Sequence, residues 1–136
     1  MQRRDFMLAF GAASLLPFTA QAAGTAYLQG LVQERLAAGE TLFLDFKAEW
    51  CTTCRAQERV INALKDENPA YAENITFIDI DWDEFGRSEI VDRYNVPRRS
   101  TLIALKGNQE IGRIVAGTSR EDIQTLMDGA LNAAVS

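Results

Sequence analysis

Between residues 41 and 67 an apolar run of strand length passes directly into a helical pattern, and that junction restricts the fold more than any other feature of the chain. Thr41-Leu42-Phe43-Leu44-Asp45-Phe46 is short and nearly continuous in apolar character, the pattern of a strand covered on both faces. From residue 51 to about 67, Ala56, Val60, Ile61 and Leu64 recur at helical spacing, and Asn68-Pro69 stops the helix. The alternation extends both ways. Leu28, Leu31, Val32 and Leu36 predict an earlier helix that Gly39 ends. Ile75-Thr76-Phe77-Ile78-Asp79-Ile80 predicts a second strand, and residues 84 to 94 a further helix. Residues 101–105 and 109–115 predict two strands joined through Gly107-Asn108, a hairpin signal. Ser119 with Asp122 has the form of a capping box ahead of Ile123, Leu126, Met127, Ala130 and Leu131, the apolar face of a last helix. Strand–helix–strand units require parallel pairing, and the hairpin adds an antiparallel edge. The expectation is an α/β fold: a central mixed sheet of about four strands with helices on both faces.

At 136 residues the chain fits one domain. A domain of that size buries roughly two-thirds of its unfolded surface and needs no covalent staple. The two cysteines, Cys51 and Cys54, also enclose too short a loop to brace a fold. They are there for another reason. A net charge of −5 argues against nucleic acid, which selects a basic face. The chain has no histidine, which excludes Ser-His-Asp and Cys-His catalysis and every imidazole-based metal site.

Residues 1–22 read as an address rather than as part of the fold. Arg3 and Arg4 precede an apolar run from Phe6 to Phe18, and Ala20-Gln21-Ala22 is a small-x-small cleavage site with Ala23 as the first mature residue. Gly11 and Pro17 break the run, which is too short to span a bilayer. Arg3-Arg4-Asp5-Phe6-Met7 resembles a twin-arginine export signal, although Gln2 stands where that signal more often has Ser or Thr. The alternative, an amphipathic first helix of the domain, fits poorly with a run that is apolar on all sides. The expected division is a cleavable signal peptide over 1–22 and a folded domain over 23–136. Its expected location is the periplasm, an oxidising compartment, with no stable membrane insertion after cleavage.

Cys51-Thr52-Thr53-Cys54 falls where the strand passes into the helix, and a Cys-x-x-Cys pair in an α/β pattern reads as a redox motif. Cys51 would sit at a helix N-terminus, where unpaired N–H groups and the helix dipole favour a thiolate. Such sites lower a cysteine pKa from ~8.5 to roughly 3.5–7.5. Cys54, one turn on, would resolve the mixed disulfide that Cys51 forms, and Arg55 adds a nearby positive charge. Structural zinc wants four ligands where this site offers two. A two-thiolate copper carrier remains a chemical alternative, and an accessory subunit with vestigial thiols a weaker one.

Asp45-Phe46-Lys47-Ala48-Glu49-Trp50-Cys51-x-x-Cys54 resembles the active-site segment of the thioredoxin family, departing from it at Lys47 and at Thr52-Thr53, where thioredoxins carry Gly-Pro. Ile78-Asp79-Ile80-Asp81, the segment from Thr101-Leu102 to Lys106-Gly107, and the helix after Ser119 continue the resemblance, over about residues 26–133. It implies a thioredoxin fold and a thiol–disulfide oxidoreductase that cycles a Cys51–Cys54 disulfide. Its partners would be disulfide or dithiol proteins of the periplasm and an upstream electron donor or acceptor. It implies no cofactor, no metal and a monomer. Asp45 takes the role of the buried aspartate that moves protons for the resolving thiol, and burial should raise its pKa. Phe77 falls where the family often has a lysine, so Asp45 should be harder still to ionise. Trp50 would flank the thiolate and help shape the docking surface, with plain core packing as the alternative. The family also places a cis-proline opposite the cysteines. Here that position, just before Thr101, holds Ser100, and the nearby Pro97 would require three extra residues before the strand. Ser100 with its neighbours Arg99 and Thr101 is thus the expected substrate-facing segment. The Arg99–Ser100 peptide should be trans, and an exposed hydroxyl should face the thiols across open space.

Overall fold

The apolar run that starts at Thr41 becomes the middle strand of a five-stranded sheet in the computed structural model, which describes residues 24–136. The reading of residues 1–22 as an export signal lies outside the described residues. In chain order the elements are β1 (Thr25–Ala26), α1 (Leu31–Ala37), β2 (Thr41–Lys47), α2 (Thr52–Glu67), α3 (Ala70–Asn74) and β3 (Thr76–Asp81). There follow α4 (Trp82–Phe85), α5 (Glu89–Arg93), β4 (Thr101–Lys106), β5 (Gln109–Val115) and α6 (Arg120–Val135). The sheet order is β1-β3-β2-β4-β5: β1 and β2 run parallel to β3, and β4 and β5 run antiparallel to their neighbours.

The period of two along β2 divides the interior. Leu42, Leu44 and Phe46 join a core with Ile78, Ile80, Val32 and Ile90 on one face of the sheet. Phe43 joins the other core, with Ile61 and Leu64 of α2 and Ile123 and Met127 of α6. Asp45, between Leu44 and Phe46, therefore shares the α2 side with Phe43. That parity places a carboxyl in the interior beneath the helix that starts after Cys51.

Three expectations change. The sheet has five strands rather than four, because Thr25 and Ala26 pair with Ile78 and Asp79. Two residues carry too little pattern to be read as a strand. The helix over 84–94 is split into α4 and α5. Ser88, in extended conformation with its hydroxyl on the Phe85 carbonyl at 2.7 Å, breaks it, and Gly86 sits so close to Trp82 that a Cβ would lie 2.6 Å from the Trp82 carbonyl oxygen. Leu28 lies ahead of α1 and is 70% exposed, because Gly30 turns the chain at φ +90° before the helix begins. The edge strand β5 shifts register against β4 near Ala104 and Leu105, and Arg113 and Glu110 pair on it at 2.6 Å. Among the described residues no helix is long and apolar enough to cross a membrane.

Candidate active site

Chain polarity places the cysteines. β2 ends at Lys47, a turn held by the Cys51 N–H on the Ala48 carbonyl (3.1 Å) follows, and Cys51 becomes the N-cap of the 16-residue α2. A sulfur in that position accepts one of the N–H groups that a helix leaves unpaired: Cys54 N–H donates to Cys51 Sγ at 3.1 Å. The two cysteines stand in disulfide geometry, 5.2 Å apart at Cα. Both are almost fully buried, in a small cluster with Ala48 against which Trp82 packs. The asymmetry matters: Cys51 takes the helix N–H and the field of the dipole, and Cys54 does not.

Ser100 closes the site from the opposite side. Its Oγ lies 3.1 Å from Cys51 Sγ and 3.1 Å from Cys54 Sγ. The peptide before it is trans, since the described residues contain no cis bond. The hydroxyl is not exposed and the space is not open: Ser100 is 0% exposed. Its backbone is also fully engaged. The N–H donates to the Phe46 carbonyl at 2.6 Å, and the carbonyl accepts from Ala116 N–H at 2.8 Å and Gln57 Nε2 at 3.0 Å. With φ +67°, Ser100 holds a left-handed conformation that proline, fixed near −65°, cannot adopt. Thr101 is equally buried, its hydroxyl on the Arg98 carbonyl at 2.7 Å.

Asp45 is 5% exposed, and its Oδ1 has no hydrogen-bond partner. Burial disfavours the charged form and pushes its pKa from 3.8 up to about 7. The missing lysine at Phe77 does not leave it without a counter-charge. Lys47 and Lys65 both pull the value down, and Asp79 and Glu58 push it up. Lys47, two residues along the same strand face, pairs with Glu58 at 3.2 Å and with Asp79 at 3.9 Å. Lys65 reaches in from α2 and lies over the Phe77 ring, 3.9 Å from its centroid. The charge that a lysine at residue 77 would bring is supplied instead by Lys47 on β2 and Lys65 on α2. A carboxyl that titrates near 7 can take or release a proton at neutral pH.

Trp50 is a surface residue, 55% exposed. Its indole N–H donates to the Asp83 carboxylate at 3.0 Å, and the Arg99 guanidinium lies 4.5 Å from its ring centroid. The Arg99 carbonyl is occupied by Arg98 Nε at 2.9 Å. An open groove of about 580 Å³ runs beside Trp50, lined by Lys47, Glu49, Asp79, Asp81 and Asp83 among others. A second, of about 520 Å³, reaches Cys54 past Lys47, Arg55 and Glu58. This end of the sheet presents Trp50 at the surface and Arg99 over its ring, with Ser100 and Thr101 buried beneath. Among the described residues no group of three or more His, Cys, Asp or Glu gathers as a metal site.

Several site residues escape a reading of the sequence. Gln57 is fully buried on α2 and donates from Nε2 to the Ser100 and Gly117 carbonyls, at 3.0 and 2.9 Å, tying two loops to the helix. Its one signal is that it stands one turn after Cys54. Asp83, Trp82, Glu58 and Lys65 reach the site only through tertiary packing.

The thioredoxin family model matches residues 25–129. Thioredoxin H5 of Oryza sativa subsp. japonica is 36% identical over 93 residues, which are 68% of this chain and 64% of that protein. The chain thus spans less than two-thirds of that relative's length. The thiol:disulfide interchange protein DsbD of Pseudomonas fluorescens is 32% identical over 85 residues, 57% of this chain and 14% of that protein. Among solved structures, that of Trxlp from Edwardsiella tarda superposes with a TM-score of 0.66 at 25% identity, covering 76% of this chain and 98% of that one.

Proposed function

This chain belongs to the thioredoxin family, and from that premise we propose that it is a thiol–disulfide oxidoreductase exchanging its Cys51–Cys54 pair with disulfides and dithiols of exported proteins. The observation that carries the reading is the placement of the pair. Cys51 caps α2 and accepts the Cys54 N–H, with Cys54 one turn deeper and Asp45 buried under the same helix. The Cys51 thiolate attacks one sulfur of a partner disulfide, and the other partner sulfur leaves as a thiolate. Cys54 then gives up its proton and attacks Cys51 Sγ, closing the internal disulfide and releasing the second partner thiolate. Asp45, with a pKa near 7, is the acceptor for that proton. Run in reverse, the same steps oxidise a partner dithiol.

We place this activity in the periplasm. The basic start, the apolar run and the Ala20-Gln21-Ala22 cleavage site support export. The test is a Cys54→Ser variant expressed with its signal. It should accumulate partners as mixed disulfides on Cys51, recovered from the periplasm and released by reductant. A Cys54→Ser protein that traps nothing there, although folded and with Cys51 alkylatable, would overturn the proposal.

A further inference from the structure

Resting on the redox reading above, we infer that the Ser100 hydroxyl is a working part of the dithiol: it donates a hydrogen bond to the Cys51 thiolate while accepting one from the Cys54 thiol. The donor count selects this arrangement once the disulfide is reduced. A serine hydroxyl has one hydrogen and two lone pairs, and in the disulfide its oxygen already lies 3.1 Å from each of the two sulfurs. In the reduced pair it can donate to one sulfur only, and its lone pairs are free to accept from the thiol on the other. Cys51 Sγ already receives the Cys54 N–H at 3.1 Å and stands at the start of α2, so it is the sulfur that keeps the negative charge. Cys54 has no such support and keeps the proton. The order is then Cys54 Sγ–H to Ser100 Oγ, and Ser100 Oγ–H to Cys51 Sγ⁻. Reduction by a dithiol partner balances on these terms. The Cys51–Cys54 bond takes two electrons and breaks, one partner proton stays on Cys54, the other leaves to solvent, and the partner closes its own disulfide.

The fold holds the serine there at a cost. A φ of +67° is unfavourable for a residue with a Cβ, and four backbone and side-chain contacts keep it: the Phe46 carbonyl, the Ala116 N–H, the Gln57 amide and, at 3.5 Å from its Oγ, Arg98 Nη2. Its burial excludes water as a competing donor. A hydrogen bond to the charged sulfur is made only in the reduced protein, so it stabilises the reduced state and lowers the pH at which the thiolate forms.

Ser100→Ala removes the hydroxyl and keeps the Cβ. Ser100→Gly removes it and relieves the backbone, since glycine accepts positive φ. The charged groups around the pair, namely Arg98 and Arg99 in the adjoining loop, Arg55 and Glu58 on α2, Asp45 and Lys47 on β2, and Asp83 on α4, are the same in both variants and in the parent. Thiolate formation is followed by ultraviolet absorbance against pH, and the exchange constant is measured in glutathione buffers, with thermal unfolding as the check on folding. Both variants should raise the Cys51 midpoint by about one pH unit and shift the exchange constant about tenfold toward the oxidised protein, which corresponds to about 30 mV. Unchanged values in Ser100→Ala, or a change in Ser100→Ala that Ser100→Gly does not share, would overturn the role of the hydroxyl. The oxidoreductase reading would survive that result. It would fall separately if the parent protein did not exchange with glutathione at all.

Discussion

Asp45→Asn offers a quantitative test of the buried carboxyl, best made on the oxidised protein, where neither cysteine titrates. Folding raises the Asp45 pKa from 3.8 to about 7, with burial as the leading cause. Between those two values the native state holds a proton that the unfolded chain has released. Stability must therefore fall as pH rises through that window, and above pH 7 the full penalty applies. At about 1.4 kcal/mol per pH unit, a rise of about three units makes ionised Asp45 destabilising by about 4 kcal/mol. Asparagine keeps the shape of the protonated side chain and cannot ionise. The parent already leaves Oδ1 unpaired, so the variant loses no bond there. Urea unfolding should show the two proteins equally stable at pH 4. The variant should gain as pH rises, reaching about 3–4 kcal/mol over the parent by pH 8.5. A difference that does not change with pH would refute the reasoning, because it would mean that folding leaves the Asp45 pKa where it stands in the unfolded chain.

Gln57→Ala should lower stability by roughly 2–3 kcal/mol, since it strips one donor each from the Ser100 and Gly117 carbonyls inside the protein; thermal unfolding of the oxidised form reads this directly. Replacing Arg3 and Arg4 together with lysine should leave uncleaved precursor in the cytoplasm if the twin-arginine route is used. Fractionation and the mass of the protein would show it, and normal export would point to the general secretory route.

The fold was largely legible because β2 and α2 declare themselves by opposite periodicities on either side of Cys51. What the pattern missed is either too short to have a period, as with β1, or decided by neighbours, as with the break at Gly86 and Ser88. The site divides in the same way. Cys51, Cys54 and Asp45 could be found because each is out of character locally: two cysteines at a junction and a carboxyl inside an apolar run. Lys47 shares the strand parity of Asp45 and could have been read from it, whereas Lys65 could not be placed, since it arrives from a turn of α2. Ser100 was readable as a position but not as an environment. Its burial follows from long-range bonds to Phe46, Ala116 and Gln57 that no local pattern encodes.

The two rims of the sheet bear on how the molecule behaves in a crowd. One rim is a strand of only two residues, and the other, β5, is interrupted in register and carries the Glu110–Arg113 pair along its length. Neither is a flat, unpaired template on which a foreign strand could grow. Self-assembly into fibrils and recognition by strand addition at the rims are thereby both discouraged. The approach left to a client of the proposed exchange is along the strand axis, onto the loops at the end of the sheet where the sulfurs lie.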